Sequence, residues 1–148
     1  MKVRFRAANR DEVPAVVAML ADDVFGKVRE KADMRPYLAA FDAMQAQTGN
    51  HLIVGLLDDG IVACYQIVFL PGLSVGAAFR AQIEGVRVAS NLRGQGIGAQ
   101  LMADAEARAR AAGCTQMQLT TNRARTEAHR FYDRLGFTPS HIGYKKAL

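Results

Sequence analysis

Cysteine is scarce in this sequence. Only Cys64 and Cys114 occur, far apart, with no Cys-x-x-Cys pair. That excludes a disulfide framework and makes a reduced, cytoplasmic protein the expectation. The three histidines, His51, His129 and His141, show no metal-ligand spacing with one another or with the cysteines, so no metal site is expected. No apolar run approaches the ~18 residues that a membrane span needs. The first residues, MKVRFRAANRDEV, lack the apolar core of a secretory signal. Aromatics make up 7% of the chain and are not interleaved with basic residues, so a base-stacking platform is missing. Neither nucleic acid nor membrane is an expected partner. There are no repeats, low-complexity tracts or evident linkers.

What is present suits one domain. The 148 residues allow a single sizeable core, and half of them are apolar. The net charge of +5 is compatible with an anionic partner, and a polyphosphate-bearing small molecule fits it as well as any polymer.

Periodicity divides the chain into alternating elements. Residues 3–5 read as a strand. Asn9-x-x-Glu12 resembles a capping box before the apolar run VPAVVAMLADD, with Pro14 a little deeper than the first helical position. Residues 22–36 are mostly polar and read as irregular. Met34, Tyr37, Leu38, Phe41 and Met44 fall at helical spacing, and Gly49 is a natural stop. HLIVGLL, Asp58-Asp59-Gly60 and IVACYQIVFL form a hairpin pattern. PGLSVGAA reads as a loop and AQIEGVRVA as another strand. Ile97, Leu101, Ala105, Ala109 and Ala112 make the apolar stripe of a helix that ends at Gly113. CTQMQLTT is a strand, residues 124–135 a short helix, and FTPSHIGYKKAL a last strand, with Pro139 arguing for an edge or bulge. This order predicts an α/β domain with a mixed sheet.

Residues 91–102 read NLRGQGIGAQLM, with Gly94, Gly96 and Gly98 at alternate positions between a strand and a helix. Interior glycine costs a helix roughly 1 kcal/mol against alanine, so three in its first turn need a reason. The first amides of a helix have no intrahelical partner and point along the positive end of its dipole. Glycines let a phosphate approach them without meeting a Cβ. A tight turn against the sheet would explain one glycine rather than three. A Walker-type loop lacks its lysine and hydroxyl here. A dinucleotide fingerprint matches Gly94, Gly96 and Ala99, but no acid follows about 20 residues on, where Leu119, Thr120, Thr121 and Asn122 stand.

The stretch Arg93-Gly94-Gln95-Gly96-Ile97-Gly98 resembles the R/Q-x-x-G-x-G/A signature of the GNAT N-acetyltransferases. The preceding strand IEGVRV and the later NRARTEAHRFYDRLGF resemble that family's other two landmarks. The resemblance covers about residues 80–140 and implies a mixed, mostly antiparallel sheet of 6–7 strands flanked by about four helices. It implies acetyl-CoA as co-substrate, with no metal. The pyrophosphate would be gripped by Arg93, Gly94, Gln95, Gly96, Ile97, Gly98 and Ala99. Val86, Arg87 and Val88 would pair with the pantetheine amides as an added strand does, and the Val88 amide would face the thioester oxygen. Asn122 stands where the family places an asparagine near the pantetheine arm. Arg87, Arg123 and Arg125 are candidates to reach phosphates, with solvated surface positions as the alternative. His129, one turn before Tyr132, is a candidate to orient either substrate.

Amine acetylation needs two proton movements. The ammonium must lose a proton, and the departing thiolate gains from receiving one. Tyr132 matches the family's usual general acid, and a phenol stays protonated at neutral pH. Glu84, on the strand before the loop, is the candidate base, because a carboxylate on a buried strand is costly unless partnered or functional. A structural acid paired with an arginine is the alternative. The resemblance therefore implies transfer to a primary amine of a small molecule by direct attack in a ternary complex. Alternatives are a protein or peptide acceptor, or a non-catalytic acetyl-CoA-binding regulatory module. A nucleotide- or nucleic-acid-binding domain rests on charge alone. Residues 22–36, with Asp22, Asp23, Phe25, Arg29, Glu30, Asp33 and Arg35, are expected to border the acceptor pocket. The stretch AHRFYDRLGFTPSH also looks like that of aminoalkylphosphonate acetyltransferases. Many family members dimerise, which leaves a homodimer open.

Overall fold

The computed structural model describes residues 1–23 and 25–148, so Val24, inside the expected acceptor-bordering segment, lies outside the described residues. Two compact units are present, Met1–Gln118 and Leu119–Leu148.

The first unit is built on a five-stranded sheet. The strands are β1 (Arg4–Ala7), β2 (Asn50–Leu57), β3 (Gly60–Leu70), β4 (Arg80–Val88) and β5 (Gln116–Leu119), lying in that spatial order. The pairs β1–β2, β2–β3 and β3–β4 are antiparallel. β5 runs the same way as β4: the Thr115 N–H donates to the Phe79 carbonyl, and three residues on the Gln118 side chain meets that of Gln82. The mixed, mostly antiparallel sheet is as expected. The count of 6–7 strands is not, because residues 137–148 form no strand. Ile142, Tyr144 and Leu148 are exposed there. A ladder partner without a buried face has little to hold it.

The helices are α1 (Val13–Ala21), α2 (Gly26–Arg29), α3 (Arg35–Ala46), α4 (Ser74–Ala77), α5 (Ile97–Ala111) and, in the second unit, α6 (Thr126–Arg134). Four have nine residues or more, and α2 and α4 are single turns in stretches read as irregular. At the start of α1 the Asn9 N–H donates to Glu12 Oε1 at 2.7 Å, and Pro14 lies in the first turn.

Two apolar layers sandwich the sheet. On one face α5 lays Ile97, Leu101, Ala105 and Ala109 against Ala63, Tyr65, Ile67, Ala81 and Ile83, all buried. Alanines in the stripe let the helix approach closely, and Ile97 pins its first turn. Ala112, expected in the stripe, is the exposed C-cap. On the other face α1 and α3 bury Val13, Val16, Val17 and Phe41 over Val54, Leu56 and Cys64. Each such large apolar side chain contributes about 1.5–3 kcal/mol.

Candidate active site

The sheet departs from regular register between β2 and β3 at Gly55 and Leu56, and again on β4. Glu84 pairs with Gln66, but Arg87 pairs with Cys64, so Gly85 and Val86 together oppose Tyr65. This is a β-bulge, and Gly85 sits in it at φ +60°. A left-handed residue at that position suits glycine, and the extra residue bends the strand and resets its alternation. Beyond the bulge the Ala89 N–H donates to the Val62 carbonyl. Alternation in an antiparallel ladder therefore turns the Val88 N–H and C=O away from β3. They face the edge on which β5 lies, and β5 is four residues long where β4 has nine.

The chain then crosses a short 3-10 turn (Ser90–Leu92) into the glycine loop. Gly94 and Gly96 adopt φ +76° and +83°, and no atom lies within 4 Å of where a Cβ would stand on either. Glycine is required there by backbone conformation, and the space above the loop is open. Gly98 sits within the first turn of α5. Gly96 caps the helix, its carbonyl accepting from the Gln100 N–H at 3.2 Å, so the amides of Ile97, Gly98 and Ala99 precede the helical ladder. Gln95 is exposed beside them. This is the anion-binding arrangement the glycines suggest.

Two arginines have partners that the sequence did not announce. Arg93 donates from Nε to the Val88 carbonyl at 3.2 Å and from Nη2 to the Asp22 carbonyl at 3.0 Å. It ties the glycine loop to the end of β4 and to the segment after α1. Arg87, expected to reach a phosphate, instead forms a buried ion pair with Asp23 at 2.8 Å, and Nη1 donates to the Val86 carbonyl. Asp23 also accepts from the Phe25 and Gly26 N–H groups, at 2.8 and 2.6 Å. Nothing local in either sequence stretch signals these links, since 71 positions separate Arg93 from Asp22.

Glu84 corrects another expectation. It is exposed rather than buried, so the cost of burying a carboxylate does not single it out. Its position does: it is the last residue before the bulge, on the face that α1 and α3 only partly cover. Of the two thiols, Cys64 is buried beneath the bulge, its Sγ 3.8 Å from the Gly85 carbonyl oxygen, to which it donates. Burial pushes this thiol up to about 12. Cys114 is half-exposed just beyond the end of α5.

The second unit gathers the other candidates. Asn122 Oδ1 accepts from the Ala124 N–H at 2.9 Å, and the Asn122 carbonyl accepts from the Arg125 N–H. That carbonyl also accepts from His129 Nε2 at 3.0 Å, which makes Nε2 the protonated nitrogen. His129 thus braces the loop that leads into α6. Tyr132 is half-buried, its ring edge-on to Phe131 and Phe137 with centroids 5.1 and 5.7 Å away. Arg125 is half-buried and Arg123 exposed. The structure therefore brings Glu84, Val86, Arg87, Val88 and residues 93–99 together in the first unit, and Asn122, Arg125, His129 and Tyr132 together in the second. Among the described residues no group of three or more His, Cys, Asp or Glu side chains is placed to hold a metal, and no helix is long and apolar enough to cross a membrane.

Comparison with known proteins agrees with this geometry. Residues 16–137 match the Acetyltransferase (GNAT) family. The chain belongs to that family. It is 31% identical over 143 residues to the aminoalkylphosphonate N-acetyltransferase of Salmonella typhimurium strain LT2, covering 97% of this chain and 90% of that protein. A crystal structure described as a transcriptional regulator from Bacillus halodurans C-125 superposes with a TM-score of 0.94 at 42% identity, covering 99% of this chain and all of that one. A structure described as a predicted acetyltransferase from Clostridium acetobutylicum, solved with acetyl-CoA, shares the fold at a TM-score of 0.74 and 16% identity, over 97% of this chain and 96% of that one. The protein is an N-acetyltransferase of the GNAT family.

Proposed function

We propose that this enzyme transfers the acetyl group of acetyl-CoA to the primary amine of a small molecule, by direct attack in a ternary complex. The observation that carries the reading is the continuity of the bulged β4 edge, the glycine loop and the N-terminus of α5. The outward Val88 N–H offers a donor to a thioester oxygen, and the first amides of α5 offer donors to a pyrophosphate. Val86, Arg87 and Val88 serve through their backbone, since the Arg87 guanidinium is committed to Asp23. Residues 93–99 hold the pyrophosphate, and Asn122, Arg125 and His129 serve the coenzyme. Glu84 takes the proton that the ammonium must lose, and Tyr132 returns one to the thiolate that leaves. Residues 1–148 act as one acetyltransferase domain, a reading supported by a family match that spans the boundary between the two units.

The test is release of CoA thiol from acetyl-CoA over a panel of small amines, amino acids, aminophosphonates, aminoglycosides and peptides. The name of the Salmonella relative puts aminoalkylphosphonates first among them. Turnover with one small class is the expected result. Glu84→Gln and Tyr132→Phe should each lower kcat by about 10²–10⁴. A Tyr132→Phe enzyme with unchanged turnover at every pH overturns the acid assignment.

A protein or peptide amine is the alternative acceptor. Silence towards small amines with turnover of peptides is its mark. Silence towards all amines, with CoA still raising the melting temperature, would leave a regulatory acetyl-CoA-binding module. A homodimer stays open, and sedimentation decides it.

A further inference from the structure

The two faces of the sheet differ in chemistry. The face beneath α5 buries Ala63, Tyr65, Ile67, Ala81 and Ile83. The opposite face is apolar only where α1 and α3 cover it. Further along that face β4 presents Arg80, Gln82 and Glu84 at alternate positions, and Gln118 of β5 stands beside them. These polar side chains are joined in sequence. Arg80 Nη1 donates to Gln118 Oε1 at 3.3 Å, and Gln118 Nε2 donates to Gln82 Oε1 at 2.7 Å. With its carbonyl oxygen accepting from Gln118, Gln82 has its amide N–H donors to offer. A solvated face has no need of such order, because water satisfies exposed amides one at a time. Here each amide is spent on the next, and the row runs in one direction, from a fixed cation to a donor. That donor is two residues from Glu84 on the same face, a spacing of about 6.6 Å along a strand.

We propose that the row Arg80, Gln118, Gln82 sets the acceptor specificity of the enzyme by holding an acidic oxygen of an amine whose nitrogen lies at Glu84. This rests on the acetyl-transfer reading of Glu84 given above. The Arg80 charge polarises the two amides in turn, which strengthens the terminal N–H donors towards an anion. One hydrogen bond at each end of the spacing leaves room for an amine and an acid two or three bonds apart. The acceptor class is therefore a short amino acid or aminophosphonate. A diamine of the same length would set a second ammonium against a row that ends in donors, and is rejected.

The experiment compares kcat/KM for 2-aminoethylphosphonate, β-alanine, n-propylamine and 1,3-diaminopropane, in wild type, Gln82→Leu and Gln82→Glu. The wild type should favour the acid-bearing members over the plain amine by about tenfold or more, the worth of one hydrogen bond to a charged group. The first two members distinguish phosphonate from carboxylate. In Gln82→Leu that ratio falls towards one, with KM for acetyl-CoA as the control for an intact coenzyme site. In Gln82→Glu it inverts in favour of the diamine, which loss of structure alone would not produce. A wild type that uses acid-bearing and plain amines equally well, or a Gln82→Leu enzyme that keeps the preference, overturns the role of the row and leaves acetyl transfer standing. If no amine turns over, the transfer reading fails separately and binding decides the row. The acid-bearing amines should then raise the melting temperature of the CoA-saturated wild type and not of Gln82→Leu, and no shift in either overturns the proposal.

Discussion

Cys64 and Glu12 are two residues whose surroundings move their acid–base behaviour in opposite directions. Cys64 lies under the bulge with its thiol pushed up to about 12 by burial, so the native protein holds it neutral. Iodoacetamide at pH 8 should label Cys114 in the folded protein and Cys64 only after unfolding, read by peptide mass spectrometry. The linkage has a definite sign. Above its ordinary value of 9.0 the unfolded thiol ionises while the folded one does not, so stability is complete below that pH and falls as pH rises from about 9 towards 12. Glu12 behaves oppositely. The Arg6 guanidinium grips it at 2.7 and 2.9 Å and holds its carboxyl below the ordinary value. Its contribution is present above about pH 4.5 and lost as pH falls through the lowered value. Glu12→Gln should lower the melting temperature at pH 7 and narrow the gap to wild type as pH falls towards 3.

Single elements carry the coenzyme reading, and glycine is the means. Gly94→Ala and Gly96→Ala each force a Cβ onto a left-handed residue, at a cost of about 1–2 kcal/mol. No atom stands where that Cβ would go, so the loss of stability should stop there. If the loop receives a pyrophosphate, the same substitutions should also raise KM for acetyl-CoA well beyond what the stability loss explains. A KM unchanged in both variants would remove the loop from the coenzyme site. The turn after α1 rests on the buried pair of Asp23 and Arg87. Asp23→Ala removes the ion-pair partner of a largely buried guanidinium and the acceptor of two backbone N–H groups, so urea titration should show a loss of about 3 kcal/mol.

At the scale of the whole molecule, the family match from residue 16 to 137 crosses from one unit into the other. If residues 1–148 are one acetyltransferase domain, calorimetry should show a single transition, with calorimetric and van't Hoff enthalpies equal. Two separated transitions would divide the domain. The sequence was most legible where structure is local. The glycine loop, the helix after it and the alternating strands follow from neighbours a few residues away, through backbone conformation and periodicity. The apolar stripe of α5 was readable to Ala109 because burial there repeats with the helical turn, and it failed at Ala112 where the helix ends. The final strand is a misreading: residues 138–148 include strand-forming side chains, but all of them are exposed.

The sequence by itself determined the family signature, the order of elements and the need for glycine between β4 and α5. Only the tertiary structure decided that Glu84 is exposed, that Arg87 belongs to Asp23, that Arg93 spans to Asp22, and that Gln118 hands its amide to Gln82. The reason is register. Which side chains meet across strands is set by how the strands align and on which face each residue falls. One extra residue at Gly85 is enough to reset that alignment.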